Sequence, residues 1–176
     1  SREQERATRE YLRELPMTIL FVDGNHEGFD ALLSYREDEW HGGKVHIIEP
    51  GMIHLMRGQV YDIDGRTFFA FGGAYSVDRE YRELGRTWFE EELPSEDEYE
   101  EARRNLRIHD YKVDYIVTHT GPYEVVSELG YECHEEGLEQ LRFFQELADT
   151  VDFQDWYFGH LHEDTDIENF HCRIDE

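Results

Sequence analysis

Three short segments hold the residues best suited to metal-assisted chemistry: Gly24-Asn25-His26-Glu27, Thr118-His119 and Gly159-His160-Leu161-His162. An amide oxygen and imidazole nitrogens are borderline donors, better matched to Mn, Fe or Zn than to the all-oxygen shell of magnesium. Each segment follows a compact apolar run: Ile19-Leu20-Phe21-Val22, Tyr115-Ile116-Val117 and Trp156-Tyr157-Phe158. Short runs rich in β-branched and aromatic residues read as buried strands. In an open α/β sheet the carboxyl ends of strands form the crevice where ligands bind, so segments far apart in sequence can converge there. If the backbone at His160 and His162 is extended, residues two apart face the same way, and both rings can address a pair of adjacent cations.

The remaining chain must supply the frame. Ala7, Tyr11, Leu12 and Leu15 form one stripe of an amphipathic helix that Pro16 ends, and Met17 to Val22 reads as a central strand. A short helix near Phe29 to Leu33 comes next, then strand-like runs at Val45 to Glu49, Ile53 to Met56, Gln59 to Ile63 and Thr67 to Gly72. Asp64-Gly65 joins two of these as a hairpin turn, because both residues tolerate positive φ. Ser95 with Glu98 three residues on forms a capping box for a helix through Leu106. The acidic run Glu90 to Glu101 across its start reads as a solvated face. Further along come a strand to Thr118, a loop at Gly121-Pro122, a helix from about Glu136 to Ala148, a strand to Phe158 and a last strand around Ile167 to Cys172. No internal repeat or linker interrupts residues 1–176, so the reading is one domain.

Composition narrows the partners. With 39% hydrophobic and 14% aromatic residues the chain can bury a real core. Its 42 acidic residues against 17 Lys and Arg give a net charge of -25, which disfavours non-specific binding to nucleic-acid backbones and anionic membranes. The same charge would repel phosphate groups unless bound cations reverse the local potential. Cys133 and Cys172 lack metal-type spacing, and no apolar stretch is long enough to span a bilayer. The expectation is a cytoplasmic protein with no membrane association.

Taken in order, the three segments resemble the later motifs of calcineurin-like metallophosphoesterases. The resemblance covers most of the chain and implies a four-layer α/β/β/α sandwich with mixed sheets. By that resemblance, Asn25, His119 and His160 would ligate one divalent metal ion and His162 a second, with Mn, Fe or Zn at both. A hydroxide bridging the two ions would attack a phosphomonoester or phosphodiester, in a phosphorylated small molecule or a phosphoprotein. His26 would face the scissile bond as a catalytic group, with Glu27 orienting its ring through a hydrogen bond. The stretch Phe71-Gly72-Gly73-Ala74-Tyr75-Ser76-Val77-Asp78-Arg79 is similar to bacterial and phage-like members. Arg79 and Arg82, with Arg86, are therefore candidates for gripping phosphate, against a reading in which at least two of them pair with Glu80, Glu83 and Glu90.

The family's Asp-x-His and Gly-Asp motifs, which belong to its first two strands, have no counterpart here: no Asp precedes His by two positions and no Gly directly precedes Asp. The resemblance thus implies a domain lacking its first strands, roughly two βα units, and an impaired catalyst, since His162 alone falls short of a second metal site. Two alternatives stand beside hydrolysis: a non-catalytic scaffold of the same fold, and a protein binding a single metal through Asn25, His119 and His160. The other histidines, 41, 46, 54, 109, 134 and 171, read as structural or surface residues.

Overall fold

The computed structural model describes residues 10–174 and builds a mixed α/β fold from two mixed sheets and several helices. The four-stranded sheet contains β1 (Ile19–Phe21), β2 (Glu37–Trp40), β3 (Gly43–Glu49) and β4 (Met52–Leu55) in the order β1-β4-β3-β2. β1 runs parallel to β4, and the other pairs are antiparallel. The six-stranded sheet contains β5 (Gln59–Ile63), β6 (Arg66–Phe71), β7 (Tyr115–Thr118), β8 (Asp155–Phe158), β9 (Thr165–Ile167) and β10 (Phe170–Cys172) in the order β5-β6-β7-β8-β10-β9. The helices that flank the sheets include α1 (Phe29–Leu32), α2 (Glu96–Ile108), α3 (Tyr123–Glu128) and α4 (Leu138–Thr150). Of the amphipathic helix expected first, helical turns are present at 10–14, and Ala7 lies outside the described residues.

Two cores hold the layers. Between the sheets, Val45, Ile53 and Leu55 pack against Tyr61 and Ala70. On the outer face of the six-stranded sheet, Phe69, Phe71, Ile116 and Trp156 meet Leu106 of α2 and Phe144 and Leu147 of α4, all of them buried. The apolar spacing of α4 is what a helix laid on a sheet requires, and burying each such side chain contributes about 1.5–3 kcal/mol. α1 lies on the outward face of the smaller sheet, where Phe29 and Leu32 share a cavity with His46 and His54. Ser95 caps α2 as the sequence implied, exchanging hydrogen bonds with Glu98. At the β5–β6 hairpin, Asp64 and Gly65 have φ of 53° and 77°, the turn chemistry that pair was chosen for.

Several local readings change. β2 lies in an acidic stretch and was not anticipated; as an edge strand its side chains stay largely in water, so no apolar alternation marks it. α3, the six residues directly after the expected Gly121-Pro122 loop, was not anticipated. The last strand is a hairpin, β9 antiparallel to β10 and turning at Glu168-Asn169. Within the acidic run, Glu92 is only 1% exposed, so the run is not a uniformly solvated face.

Candidate metal centre

Three parallel strands of the large sheet, β6, β7 and β8, end side by side, with Phe71 paired to Thr118 and Val117 to Tyr157. Backbone hydrogen bonds continue past the strands: His119 N–H donates to Phe71 C=O (3.3 Å) and Gly159 N–H to His119 C=O (3.0 Å). The end of β1 is tied in by Gly73 N–H donating to Asp23 C=O at 2.8 Å. Strand ends from both sheets therefore meet at one edge, which is why residues 25, 119 and 160 become neighbours. Two glycines permit the closeness. A Cβ on Gly72 would lie 2.1 Å from Asp23 Oδ1, and one on Gly24 would lie 2.9 Å from His119 Cε1.

Asn25, His26, His119, His160 and His162 line a single cavity of about 930 Å³. Asn25 Oδ1 sits 3.0 Å from His119 Nε2, and the His119 and His160 ring centroids are 5.1 Å apart. Beneath them the Trp156 indole donates to Thr118 Oγ1 at 2.8 Å, satisfying a buried N–H and bracing the residue before His119. His162 is exposed at the rim, within electrostatic reach of His26, His119 and His160.

The His160-His162 segment is a turn and not an extended strand end. Both residues have left-handed backbones, φ 68° and 53°, and Leu161 N–H donates to Gly159 C=O at 2.8 Å. β8 has already stopped at Phe158, so the chain curls over the cavity edge. Such conformations cost non-glycine residues roughly 1 kcal/mol or more, and sites tolerate the strain where it aims a side chain.

Burial, reinforced by neighbouring charges, shapes the rings' protonation. His119 and His160 are pushed down to about 4, first by desolvation, with His26 and His162 adding to it. His26 is also lowered, by desolvation and then by the Arg82 cation. At neutral pH the two buried rings are uncharged and keep a nitrogen lone pair, the form that binds metals. One amide oxygen and two neutral imidazoles turned into one cavity fit a single borderline divalent cation. Among the described residues no group of three or more His, Cys, Asp or Glu side chains converges closely enough to hold a metal, so the set depends on the amide. His162 is the further nitrogen facing this cavity from the same turn.

Around this centre the remaining candidates separate. Glu27 does not make the expected bond to His26; its carboxylate accepts from Gly24 N–H at 3.3 Å, bracing the loop. His26 Nε2 instead lies 3.1 Å from Arg82 Nη2, with Asn25 Nδ2 at 3.4 Å. Arg82 is half-buried and held by Asp78 (2.8 Å) and by Thr87 C=O (3.1 Å). Arg79 stacks over Tyr75 and Trp88 and pairs with Glu136 (3.1 Å), while Arg86 pairs with Glu83 (3.1 Å). Of the three arginines, Arg82 is the one that contacts a histidine of the cavity.

Sequence reasoning missed three buried polar residues here. Asn25 Nδ2 donates to Ser76 Oγ at 2.9 Å, and Ser76 Oγ–H donates to Glu92 Oε2. Asp23, at the end of β1, turns away from the cavity to Arg57 and His54. None carried a local signal, because their partners lie many residues away or in the opposite sheet.

A helix-flanked pair of mixed sheets with histidines and an asparagine at converging strand ends is the architecture of a metallophosphoesterase. The family model for calcineurin-like phosphoesterases matches residues 2–164, and the chain belongs to that family. Comparison with curated proteins finds no match. No helix among the described residues is long and apolar enough to cross a membrane.

Proposed function

We propose that this chain carries the site of a divalent-metal-dependent phosphoesterase acting on a phosphorylated small molecule or phosphoprotein. The observation that carries the reading is the convergence of Asn25, His26, His119, His160 and His162 on one cavity from three separate strand ends. Asn25, His119 and His160 would hold one cation, and His162 would contribute to a second. Bound there, the cation supplies Lewis acidity, offsetting phosphate charge and making an attacking water more acidic.

The chain's own groups supply the rest. An arginine has donors only, so in the resting site His26 Nε2 accepts from Arg82 and its proton sits on Nδ1. A phosphate entering the cavity offers Arg82 stronger, anionic acceptors. Once the guanidinium turns to them, Nε2 is free to move a proton at the leaving oxygen, and the substrate's charge favours the imidazolium. Against the lowering by burial and Arg82, the carboxylates of Asp78 and then Glu27 favour the charged form of His26. Arg79 is already committed to two aromatic faces and Glu136, which supports a framing role.

The test is hydrolysis of aryl phosphate mono- and diesters with added Mn²⁺. Turnover should fall at least about a hundredfold in His26→Ala and vanish in His160→Ala; undiminished activity in both would overturn the assignment. A second reading is supported by the donor set, which is complete for one cation and not for two: a scaffold of this fold that holds one metal without turnover. Saturable Mn²⁺ uptake with no hydrolysis of either ester class would favour it.

A further inference from the structure

We infer that Ser76 and Glu92 are positioning residues that fix the orientation of the Asn25 amide and so set the affinity of this centre for a divalent cation. The inference rests on Asn25 being a ligand. An amide side chain has two ends of nearly the same shape, one a donor and one an acceptor, and a flip would exchange metal-binding oxygen for useless NH₂. Here Nδ2 donates to Ser76 Oγ at 2.9 Å, with His26 Nε2 a longer 3.4 Å away, while Oδ1 faces the His119 ring.

Ser76 can hold that choice because its single hydroxyl proton is already given to Glu92, an acceptor when ionised. Toward Asn25 it therefore presents lone pairs alone, and a flipped amide would set oxygen against oxygen. Water cannot relieve that conflict: Asn25, Ser76 and Glu92 are 5%, 1% and 1% exposed. Glu92 is an expensive device for stability alone. Its Oε1 has no hydrogen-bond partner; burial pushes its carboxyl up, and beyond Ser76 the offsets are the Phe89 backbone N–H and the Arg82 guanidinium at 3.9 Å. A buried carboxylate left partly unpaired calls for a role other than packing. That same Arg82 contacts His26, so residues 76–92 hold both Asn25 and His26 from behind.

The experiment is calorimetric titration of Mn²⁺ into the wild-type chain, Ser76→Ala, Glu92→Gln, Asn25→Asp and the double variant Asn25→Asp/Ser76→Ala, with thermal unfolding to verify folding. Removing a supporting group behind a ligand typically weakens metal affinity by about tenfold or more, which is expected for Ser76→Ala. Glu92→Gln should weaken it too, because a glutamine NH₂ can donate to Ser76 and reverse the relay. A carboxylate presents oxygen whichever way it faces, so in the Asn25→Asp background Ser76→Ala should make little further difference. Wild-type affinity in folded Ser76→Ala, or an equal loss from Ser76→Ala in the wild-type and Asn25→Asp backgrounds, would overturn the orienting role while leaving the metal site intact. No Mn²⁺ uptake by the wild type would overturn the ligand reading of Asn25 and this inference with it.

Discussion

Asp23 and Asn25 leave the same strand end and enter opposite kinds of environment. Asp23 accepts from Arg57 Nε (3.0 Å), Arg57 Nη2 (2.6 Å) and His54 Nε2 (3.1 Å), and Arg57 goes on to Glu91 C=O (2.7 Å) and Glu98. Burial would raise the Asp23 carboxyl, yet the Arg57 cation and the hydrogen bonds hold it at about 2. Every strong group in that cluster is satisfied. Across the strand end, Asn25, His119 and His160 face a cavity, two of them as neutral rings with a lone pair to offer. The contrast teaches where to look for function: saturated polar clusters seal the joint between sheets, and incomplete ones await a ligand.

Breaking the sealed cluster should have the largest effect on the fold. Arg57→Leu strands a buried carboxylate and is expected to cost about 3–5 kcal/mol, measured by urea unfolding. The open cluster should behave in the other sense. His26→Ala is expected to reduce ester hydrolysis about a hundredfold, close to 2.7 kcal/mol of barrier, with an unchanged unfolding midpoint.

Acid should separate the regions by pH. His119 and His160 titrate near 6.5 when unfolded and near 4 when folded. Below 6.5 the unfolded chain binds protons that the folded one refuses, so their contribution is present above that pH and is lost as pH falls through 4. Asp23 contributes above its unfolded value of 3.8, and that contribution is lost as pH falls through about 2. Acid also relieves the self-repulsion of a net charge of -25, a stabilising background. Comparison with His119→Asn largely cancels it: the stability of the wild type relative to the variant should fall by about 3 kcal/mol between neutral pH and pH 4. A constant difference would contradict the assigned burial.

The smallest effect is the most diagnostic of strain. His160→Gly removes a side chain from a left-handed backbone. Thermal stability should hold or rise by up to about 1 kcal/mol, while Mn²⁺ uptake is lost.

Much of this was legible in the residues themselves. The strands that deliver the three motifs, the Asp64-Gly65 turn and the Ser95 capping box all announce themselves through nearest neighbours, and each formed within a residue or two of expectation. What stayed hidden depends on distance or on water. β2 carries charges on an edge, so it lacks a pattern. Glu92 looks like its acidic neighbours until the fold brings Ser76 and Arg82 to it. β8 stops at Phe158 as its apolar run implied, but the left-handed turn at His160 and His162 that follows had no local signal, since neither residue is a glycine.

Paramagnetic broadening by Mn²⁺ tests the central assignment most directly, because it reads each histidine ring by its distance from the cation. Added in substoichiometric amounts, Mn²⁺ should erase the ring signals of His119, His160 and His162 first and spare those of His41 and His109. Uniform weak broadening, or selective loss at rings outside the cavity, would contradict the account.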